Sequence, residues 1–251
     1  MMKYAPVWPP QYYWAFCVYG IHMVLAQKVR TDSLYLKWLK DCNVRGAILI
    51  LDNGSAEGEP LEFEDLIAVA NEISADYVIL PDTLRDADKT IAQYMRCRDL
   101  IPAHRSMVVP QGTSVDEYVN CYEDMLHIWQ EDGGAPAFVG VPKHLEGYPG
   151  GRSKAATLLR MSPMFQYHKL WALGIYGSPT MEIKTLNSMN VFYGFDTAAA
   201  VAFAQHDVRV SEVHVHFPLL WDLMVPNNEL ITVNRDTLNQ LAMEVAYGPE
   251  M

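Results

Sequence analysis

Cysteine is scarce in this sequence, and its spacing excludes two common uses. The chain has four cysteines, Cys17, Cys42, Cys97 and Cys121, and no two of them form a CxxC pair. Zinc-binding motifs and disulfide frameworks both depend on closer, recurring spacings. We therefore expect free buried thiols and no metal.

Long hydrophobic runs are also missing. The longest candidate, from Ala15 to Ala26, is interrupted by Gly20 and His22, and it falls short of the roughly 20 residues that span a bilayer. The segment from Met1 to Gln11 has no hydrophobic core followed by a small-residue cleavage site, so it does not resemble a signal peptide. These features predict a cytoplasmic protein with no membrane partner.

Positive charge is in deficit. The chain has 19 Lys and Arg against 30 Asp and Glu, which gives a net charge of −11 at pH 7. Non-specific affinity for nucleic acid comes mainly from Lys and Arg that neutralise phosphates, so this balance excludes a broad phosphate-binding surface. Contact with a nucleic acid is therefore expected to be local, through a few basic residues such as Arg85, Arg152 and Lys154, or to need a basic partner.

The order of secondary structure indicates the fold. Short β-rich runs alternate with longer helical patterns, as in parallel sheets joined by crossover helices. No linker or repeat divides the chain, so the sequence predicts one α/β domain over residues 1–251, a single (β/α)8 TIM-type barrel, with an open doubly wound sheet as the alternative. The eight predicted strands are Phe16–Leu25, Arg45–Leu51, Tyr77–Leu80, Ser106–Val109, Ala137–Val141, Leu170–Tyr176, Val191–Phe195 and Glu212–His216.

Helical patterns lie between these strands and after the last one. Asp32, Ser114 and Thr197 are expected N-caps, because a short oxygen-bearing side chain accepts hydrogen bonds from first-turn amides. The aromatic N-terminal segment, with Tyr4 and Trp8, is expected to pack on the core and close the bottom of the barrel. The predicted helices are Asp32–Lys40, Glu62–Ile73, Asp86–Cys97, Val115–Gln130, Arg152–Arg160, Ala198–Gln205 and about Asp236–Ala246.

Polar residues follow several predicted strands directly. In (β/α)8 barrels such positions converge on one mouth. A single Asp there is most often a turn former or a helix cap, but several carboxylates together suit glycosidic chemistry. The amides among them can read a purine edge, because each presents a donor and an acceptor. The residues are Asp52, Asn53, Asp82, Gln111 and Asp196.

These segments resemble the ordered motifs of the tRNA-guanine transglycosylase superfamily. They are similar above all to its short phage-type branch, the DNA-guanine transglycosylase-like proteins that put 7-deazaguanines into DNA. The resemblance spans most of the chain. Its motifs are Leu51-Asp52-Asn53-Gly54, Val78-Ile79-Leu80-Pro81-Asp82, Val109-Pro110-Gln111-Gly112 and Gly194-Phe195-Asp196-Thr197, with His22–Ala26, Gly140-Val141-Pro142, Arg152 and Leu173-Gly174 in the expected order.

The resemblance implies a role for each matching residue. Asp196 is implied to be the nucleophile that attacks the anomeric carbon and expels guanine. Asp52 is implied to be the general acid/base that exchanges a proton with the bases. The other matching positions are implied to recognise the base, to let it approach the backbone and to line its pocket: Asp82 and Gln111, then Gly112, then Leu173 and Gly174.

The sequence departs from the family in two places. An aromatic residue often follows the first Asp motif in the family, whereas here Ser55-Ala56-Glu57 follows Gly54. Base stacking is then expected from Tyr176, Phe195 or Tyr193. Larger members carry a Cys-rich zinc site near the C-terminus, whereas no cysteine follows Cys121 here, so no structural zinc is expected.

A pair of histidines gives a competing metal signal. His214 and His216 lie on one face of a predicted strand, with Asp222 nearby, a spacing that zinc or iron sites can use. A metal-dependent hydrolase would need further ligands to complete the shell. We therefore prefer a hydrogen-bonded strand pair.

A glycine-rich segment, Gly147–Arg152, is neither a Walker-type phosphate loop nor a dinucleotide fingerprint. No cofactor is therefore expected. The segment is predicted to form a loop at the barrel mouth, where Arg152 and Lys154 can contact a backbone phosphate.

Taken with the resemblance, these observations predict an enzyme that exchanges guanine in DNA for a 7-deazaguanine. Its partners are then DNA and the free 7-deazaguanine base, and a homodimer is compatible with them. Exchange on tRNA is the alternative, since the same catalytic groups permit it. A second alternative, from a different functional class, is a non-catalytic accessory barrel that binds nucleobases or nucleic acid.

Overall fold

Eight parallel strands alternate with helices in this computed structural model, which describes residues 2–15, 20–132, 134–175, 177–212 and 228–244. The strands are β1 (Lys3–Pro6), β2 (Ile21–Leu25), β3 (Ile48–Asp52), β4 (Tyr77–Ile79), β5 (Ser106–Val108), β6 (Phe138–Pro142), β7 (Lys169–Leu173) and β8 (Phe192–Thr197). The α-helices of the described part are α1 (Ala26–Thr31), α2 (Ser33–Val44), α3 (Phe63–Glu72), α4 (Ala87–Cys97), α5 (Val115–Asp132), α6 (Gly151–Arg160), α7 (Pro179–Ser188), α8 (Ala199–Gln205) and α9 (Asn228–Met243). Short 3-10 helices cover Pro10–Ala15, Ala103–Arg105, Lys143–Gly147 and Phe165–Tyr167.

The sheet closes into a barrel. Its strand order is β1-β8-β7-β6-β5-β4-β3-β2, and each neighbouring pair in this order is parallel. An isolated parallel bridge between Val7 and Met23 joins the two edges of this order, β1 and β2. The predicted single (β/α)8 TIM-type barrel is therefore confirmed. No helix of the described residues is long and apolar enough to cross a membrane.

The N-terminal segment is a strand, which corrects the sequence prediction. Tyr4 and Trp8 are buried, as expected, but Lys3–Pro6 pairs with β8 instead of only packing beneath the barrel. This strand has four residues and ends at a proline, so it lacks the long alternating run that identifies strands in sequence. The predicted strand Glu212–His216 lies outside the described residues from position 213 onward.

The predicted helices are present, with shifts at their ends, although α1 and α7 were not predicted. Asp32 and Ser114 cap helices as expected: Asp32 accepts from the amides of Leu34 and Tyr35, each at 2.9 Å, and Ser114 accepts from Glu117 at 3.1 Å. Thr197 is displaced by one position. The N-cap of α8 is Ala198, while the Thr197 hydroxyl accepts from the amide of Ala199 at 3.1 Å.

Strand alternation sorts the side chains into two layers. In β3, Leu49 and Leu51 face the surrounding helices, whereas Ile50 faces the barrel interior. Side chains two residues apart in a strand share a face, so Asp52 follows Ile50 to the inside. The buried interior cluster consists of Ala5, Met23, Ile50, Ile79, Met107, Val109, Phe138 and Trp171.

A β-bulge in β8 changes this alternation. Leu170 pairs with Phe192 while the next residue, Trp171, pairs with Gly194, so Tyr193 is an extra residue. Tyr193 packs against the interior cluster, and a Cβ on Gly194 would meet the Trp171 ring at 2.6 Å. Two consecutive residues of β8 therefore face inward. As a result, Asp196 points into the barrel and its neighbour Phe195 points out.

Outside the interior, His168 provides a test of the packing beside β7. It is 6% exposed, its Nε2 lies 3.2 Å from the Tyr122 hydroxyl, and it packs edge-on against Trp129. Burial lowers the pKa of His168 from 6.5 to about 4. Between those values the unfolded chain binds a proton that the folded chain does not, so stability is lost as the pH falls below 6.5.

We expect the free energy of unfolding to fall by about 2 kcal/mol more in the wild type than in His168→Gln between pH 7.5 and pH 5. Urea denaturation at the two pH values measures this difference. His127→Gln is the matched control, because His127 is exposed on α5. Equal losses in the wild type and in His168→Gln would show that His168 titrates normally in the folded chain.

Candidate active site

A cavity of about 560 Å³ opens at the carboxyl ends of the strands. That volume lies within the range of small-molecule sites. Three of the sequence-predicted site residues, Gly112, Arg152 and Lys154, are not among its lining residues. The structure brings the other seven together around it: Asp52, Asn53, Asp82, Gln111, Leu173, Gly174 and Asp196.

Asp196 is held by two hydrogen bonds. The indole Nε1 of Trp171 donates to its Oδ1 at 3.1 Å, and the backbone amide of Gly174 donates to its Oδ2 at 3.2 Å. Burial raises the pKa of Asp196 to about 6, against the lowering effect of these bonds and of Arg152 and Lys143. Asp196 is therefore mostly ionised at pH 7, and its orientation is fixed.

Asp52 lies at the end of β3 and has fewer partners. Its Oδ1 accepts from the amide of Gly54 at 3.0 Å. Desolvation and the negative charges of Glu57, Asp196 and Asp82 raise the pKa of Asp52 well above its usual range. Asp52 and Asp196 therefore differ in environment, and burial together with the neighbouring carboxylates favours the protonated form of Asp52.

Asp82 is held by the side-chain amides of Asn53 and Gln111, which the sequence analysis predicted to recognise the base. Asn53 Nδ2 donates to Oδ1 at 2.8 Å, and Gln111 Nε2 donates to Oδ2 at 2.5 Å. Asn53 also donates to the Leu80 carbonyl at 2.8 Å and accepts from the Ser55 amide at 2.8 Å. The hydrogen-bonding groups of Asn53 are thus used within the protein, which corrects its assignment to the purine edge.

Gln111 is similarly occupied. It is 0% exposed, and its Oε1 accepts from the backbone amide of Arg85 at 3.0 Å. These contacts use its oxygen and one of its two N–H groups, so the amide orients Asp82. Burial raises the pKa of Asp82, whereas the bonds from Asn53, Ser55 and Gln111 lower it.

Gly112 does not face the cavity, contrary to the expectation that it lets a purine approach. A Cβ at this position would meet the Tyr118 backbone nitrogen at 2.6 Å and the Glu117 Cβ at 2.7 Å. Glycine is needed because the loop after β5 packs against the first turn of α5. The motif therefore has a structural reason that its position in sequence did not reveal.

Two of the cations predicted to contact phosphate, Arg152 and Lys154, lie in different environments. Arg152 is 0% exposed and pairs with Glu146 and Glu182, so it is not available to a phosphate as predicted. Lys154, on the outer side of the same helix, is exposed and pairs with Asp116 at 2.6 Å. The prediction for Arg152 failed because sequence does not show which face of α6 is buried.

Aliphatic and polar side chains both line the cavity, and the polar ones include the imidazole ring of His144. Among the described lining residues there is no Phe, Tyr or Trp. Phe195 faces outward and stacks on Tyr4 at 5.2 Å between ring centroids, and Tyr193 packs deeper against Phe138 at 5.5 Å. Neither ring can stack on a ligand as predicted, and Tyr176 lies outside the described residues. A flat ligand would instead contact side chains such as Leu25, Val109 and Leu173.

Three ionisable lining residues had no assigned role in the sequence analysis: Glu57, Lys143 and His144. Arg85, which was expected to contact phosphate, also lines the cavity. Lys143 directly follows β6, so the argument that selected Asp52 and Asp196 also selects it. Arg85 has a positive φ of 61°. A positive φ at a residue other than glycine is not predictable from the sequence. Glu57 lies in an acidic run that has the composition of an ordinary solvated loop.

Metal ligation has no candidate in the described part of the chain, where no group of three or more His, Cys, Asp or Glu side chains is arranged to hold an ion. The histidine pair His214 and His216, with Asp222, lies outside the described residues. No protein-family model matches this chain, and no curated protein matches it either.

Proposed function

We propose that this chain exchanges guanine in DNA for a 7-deazaguanine through a covalent glycosyl-Asp196 intermediate. The observation that carries the proposal is a pair of carboxyl groups, Asp196 and Asp52, that line one cavity and are held in different environments. The pKa of Asp196 is about 6 and that of Asp52 is raised well above the usual range. Two carboxyl groups whose environments separate their pKa values can act as an ionised nucleophile and a protonated acid at the same pH.

In the first half-reaction, an Asp196 carboxylate oxygen bonds to C1′ of the target nucleotide. The C1′–N9 bond breaks, and its electron pair leaves with the guanine base. Protonated Asp52 gives its proton to the departing base, which leaves as neutral guanine. The products are a glycosyl ester on Asp196 and an ionised Asp52.

The second half-reaction is the reverse with a different base. A free 7-deazaguanine enters the cavity, ionised Asp52 takes the proton from its N9, and N9 bonds to C1′. The C1′–O bond to Asp196 breaks, and its electron pair returns to the carboxylate. Both carboxyl groups end in the state in which they began, so no cofactor is consumed.

Asp82 supports the choice of base. Each of its oxygens already accepts one amide N–H, and a carboxylate has about four acceptor positions, so it can accept further donors from a ligand. Guanine and 7-deazaguanine both present N1–H and 2-amino donors on one edge. Adenine has no N1–H, and a site with an unpaired buried acceptor discriminates against a ligand that lacks the donor.

The charge distribution supports a nucleic acid as the glycosyl donor, with narrow contact. Arg85 and Lys143 are exposed cations that line the cavity, while the chain as a whole has a net charge of −11. A base inside a duplex cannot reach such a cavity, so the nucleotide must be extruded or single-stranded. Phosphates next to that nucleotide would meet the two cations.

An exchange assay tests the proposal. The purified chain is incubated with duplex DNA, single-stranded DNA or tRNA carrying labelled guanine, together with a free 7-deazaguanine, and the released base and the nucleosides are measured by mass spectrometry. We expect guanine release and 7-deazaguanine incorporation with DNA, and none in the Asp196→Asn blank. Incorporation only into tRNA would replace DNA as the substrate. Binding of the free base without exchange on any polymer would favour the non-catalytic barrel.

A further inference from the structure

Arg152 combines full burial with an unusual number of partners. It lies in the first turn of α6, and its side chain is 0% exposed. Nε donates to Glu146 Oε1 at 3.1 Å, and Nη2 contacts Glu182 Oε1. Glu146 comes from the loop after β6 and Glu182 from α7, so the guanidinium joins three consecutive segments around the cavity.

The remaining nitrogen of Arg152 leads to Asp196. Nη1 donates to the Gly174 carbonyl at 2.8 Å and lies 3.4 Å from the Leu173 carbonyl. The amide of the same residue, Gly174, donates to Asp196 Oδ2 at 3.2 Å. Gly174 has a positive φ of 66°, a conformation that glycine adopts without strain. One residue thus accepts from Arg152 and donates to the carboxylate.

Glu182 connects Arg152 to a second point of the loop after β7. While one of its oxygens contacts Arg152, Oε2 accepts from the amide of Gly177 at 3.0 Å. The loop is therefore fixed at Gly174 and at Gly177 by one buried ion pair. Burial of a charge costs several kcal/mol before pairing, and packing alone would not need a cation beside Asp196.

We propose that Arg152 is a positioning residue, which orients Asp196 for attack through the Gly174 backbone without touching base or sugar. This inference rests on the proposed role of Asp196 as the attacking carboxylate. The positive charge of Arg152 also lowers the pKa of Asp196 and opposes the effect of burial. A carboxylate held in place and mostly ionised at pH 7 is what nucleophilic attack requires.

Several other groups face Asp196 and can affect its pKa. The charge of Asp196 raises the pKa of Asp52, and Lys143 lowers the pKa of Asp196. Trp171 and Gly174 are neutral donors. Tyr4, on the neighbouring strand, has its pKa raised by burial and stays neutral. Arg152 and Lys143 are therefore the cations that influence Asp196.

The test measures the ionisation of Asp196 without any substrate. The Trp171 indole N–H contacts Asp196 directly, so its ¹⁵N-labelled indole resonance should titrate with that carboxylate, near pH 6 in the wild type. In Arg152→Met/Glu182→Gln, which neutralises the buried pair together, we expect the midpoint to rise by about 0.5 to 1 pH unit. The matched control, Arg160→Met, removes an exposed cation from the last turn of α6 and should leave the midpoint unchanged.

Glu182→Gln alone keeps the test decisive if the double variant does not fold. It leaves Arg152 with one carboxylate partner fewer, so the Asp196 midpoint should fall instead of rise. Unchanged midpoints in folded variants, or shifts equal to that of Arg160→Met, would overturn the inference.

Exchange kinetics separate this inference from the proposed function. If the wild type exchanges base, the double variant should lower kcat more than it raises KM, and its activity should begin at higher pH. An unaltered kcat and pH profile would refute the positioning role while leaving the function intact. If the wild type exchanges nothing yet the Trp171 midpoint shifts as expected, the proposed function fails and the control of Asp196 by Arg152 stands.

Discussion

Asp196→Asn should abolish both base exchange and the covalent intermediate. An amide cannot readily form the glycosyl ester, so the loss of rate should reach at least about 1,000-fold. The substitution also removes one acceptor, because an Asn side chain can accept from Trp171 or from Gly174 but its NH₂ group then faces the other donor. Binding of the free base should change only a few-fold, because Asp82 and its amide partners are untouched.

Trapping measures this expectation. The chain is incubated with DNA, denatured and separated by size, so that only a covalent adduct keeps protein and nucleic acid together. The wild type should give an adduct that disappears when a free base is added, and Asp196→Asn should give none. A denaturation-resistant adduct in Asp196→Asn would remove Asp196 from its role, and Asp82 would become the next candidate for the attack.

Asp52→Asn should have a different signature. Loss of one acid/base group slows the reaction by a factor on the order of 100 to 10,000, so release of guanine should become slow while the adduct still forms. The pH profile should also change. The wild-type rate should rise as Asp196 ionises near pH 6 and fall at higher pH as Asp52 loses its proton, and Asp52→Asn should lack the falling limb.

The same variant should gain stability. Burial and neighbouring carboxylates raise the pKa of Asp52 in the folded chain. When the pH is above the pKa of Asp52 in the unfolded chain, ionisation of this residue therefore favours unfolding. Asn carries no charge, so the substitution removes this destabilisation. Thermal unfolding at pH 8 and at pH 4 gives the comparison: the melting temperature of Asp52→Asn should exceed that of the wild type at pH 8, with a smaller difference at pH 4. Equal melting temperatures at pH 8 would contradict the raised pKa.

Strand ends were the informative part of the sequence. Hydrophobic runs such as Ala47–Leu51 identify buried parallel strands, and the first polar residue after each run lies at the mouth of the barrel because all strands are parallel. That rule predicts that Asp52, Asp82 and Asp196 lie around one cavity, as they do in the structure. Applied to Pro142-Lys143, it would have found Lys143 as well.

Side-chain direction was the part that sequence reasoning could not supply. Asn53 and Gln111 lie where expected, yet their amides are directed at Asp82 and at the backbone. Arg152 belongs to the buried face of a helix whose exposed face carries Lys154. These outcomes depend on which partner lies across the gap between two elements, and that information comes from three-dimensional packing.

The extra residue in β8, Tyr193, is what directs Asp196 into the cavity. Successive side chains of a strand alternate between the cavity and the helix layer, so inserting one residue moves every later side chain to the opposite face. Tyr193 has this effect on the residues after it, so Asp196 reaches the cavity while Phe195 keeps its stack on Tyr4. A single-residue insertion could thus give an inert barrel a buried carboxylate without rearranging the other seven strands.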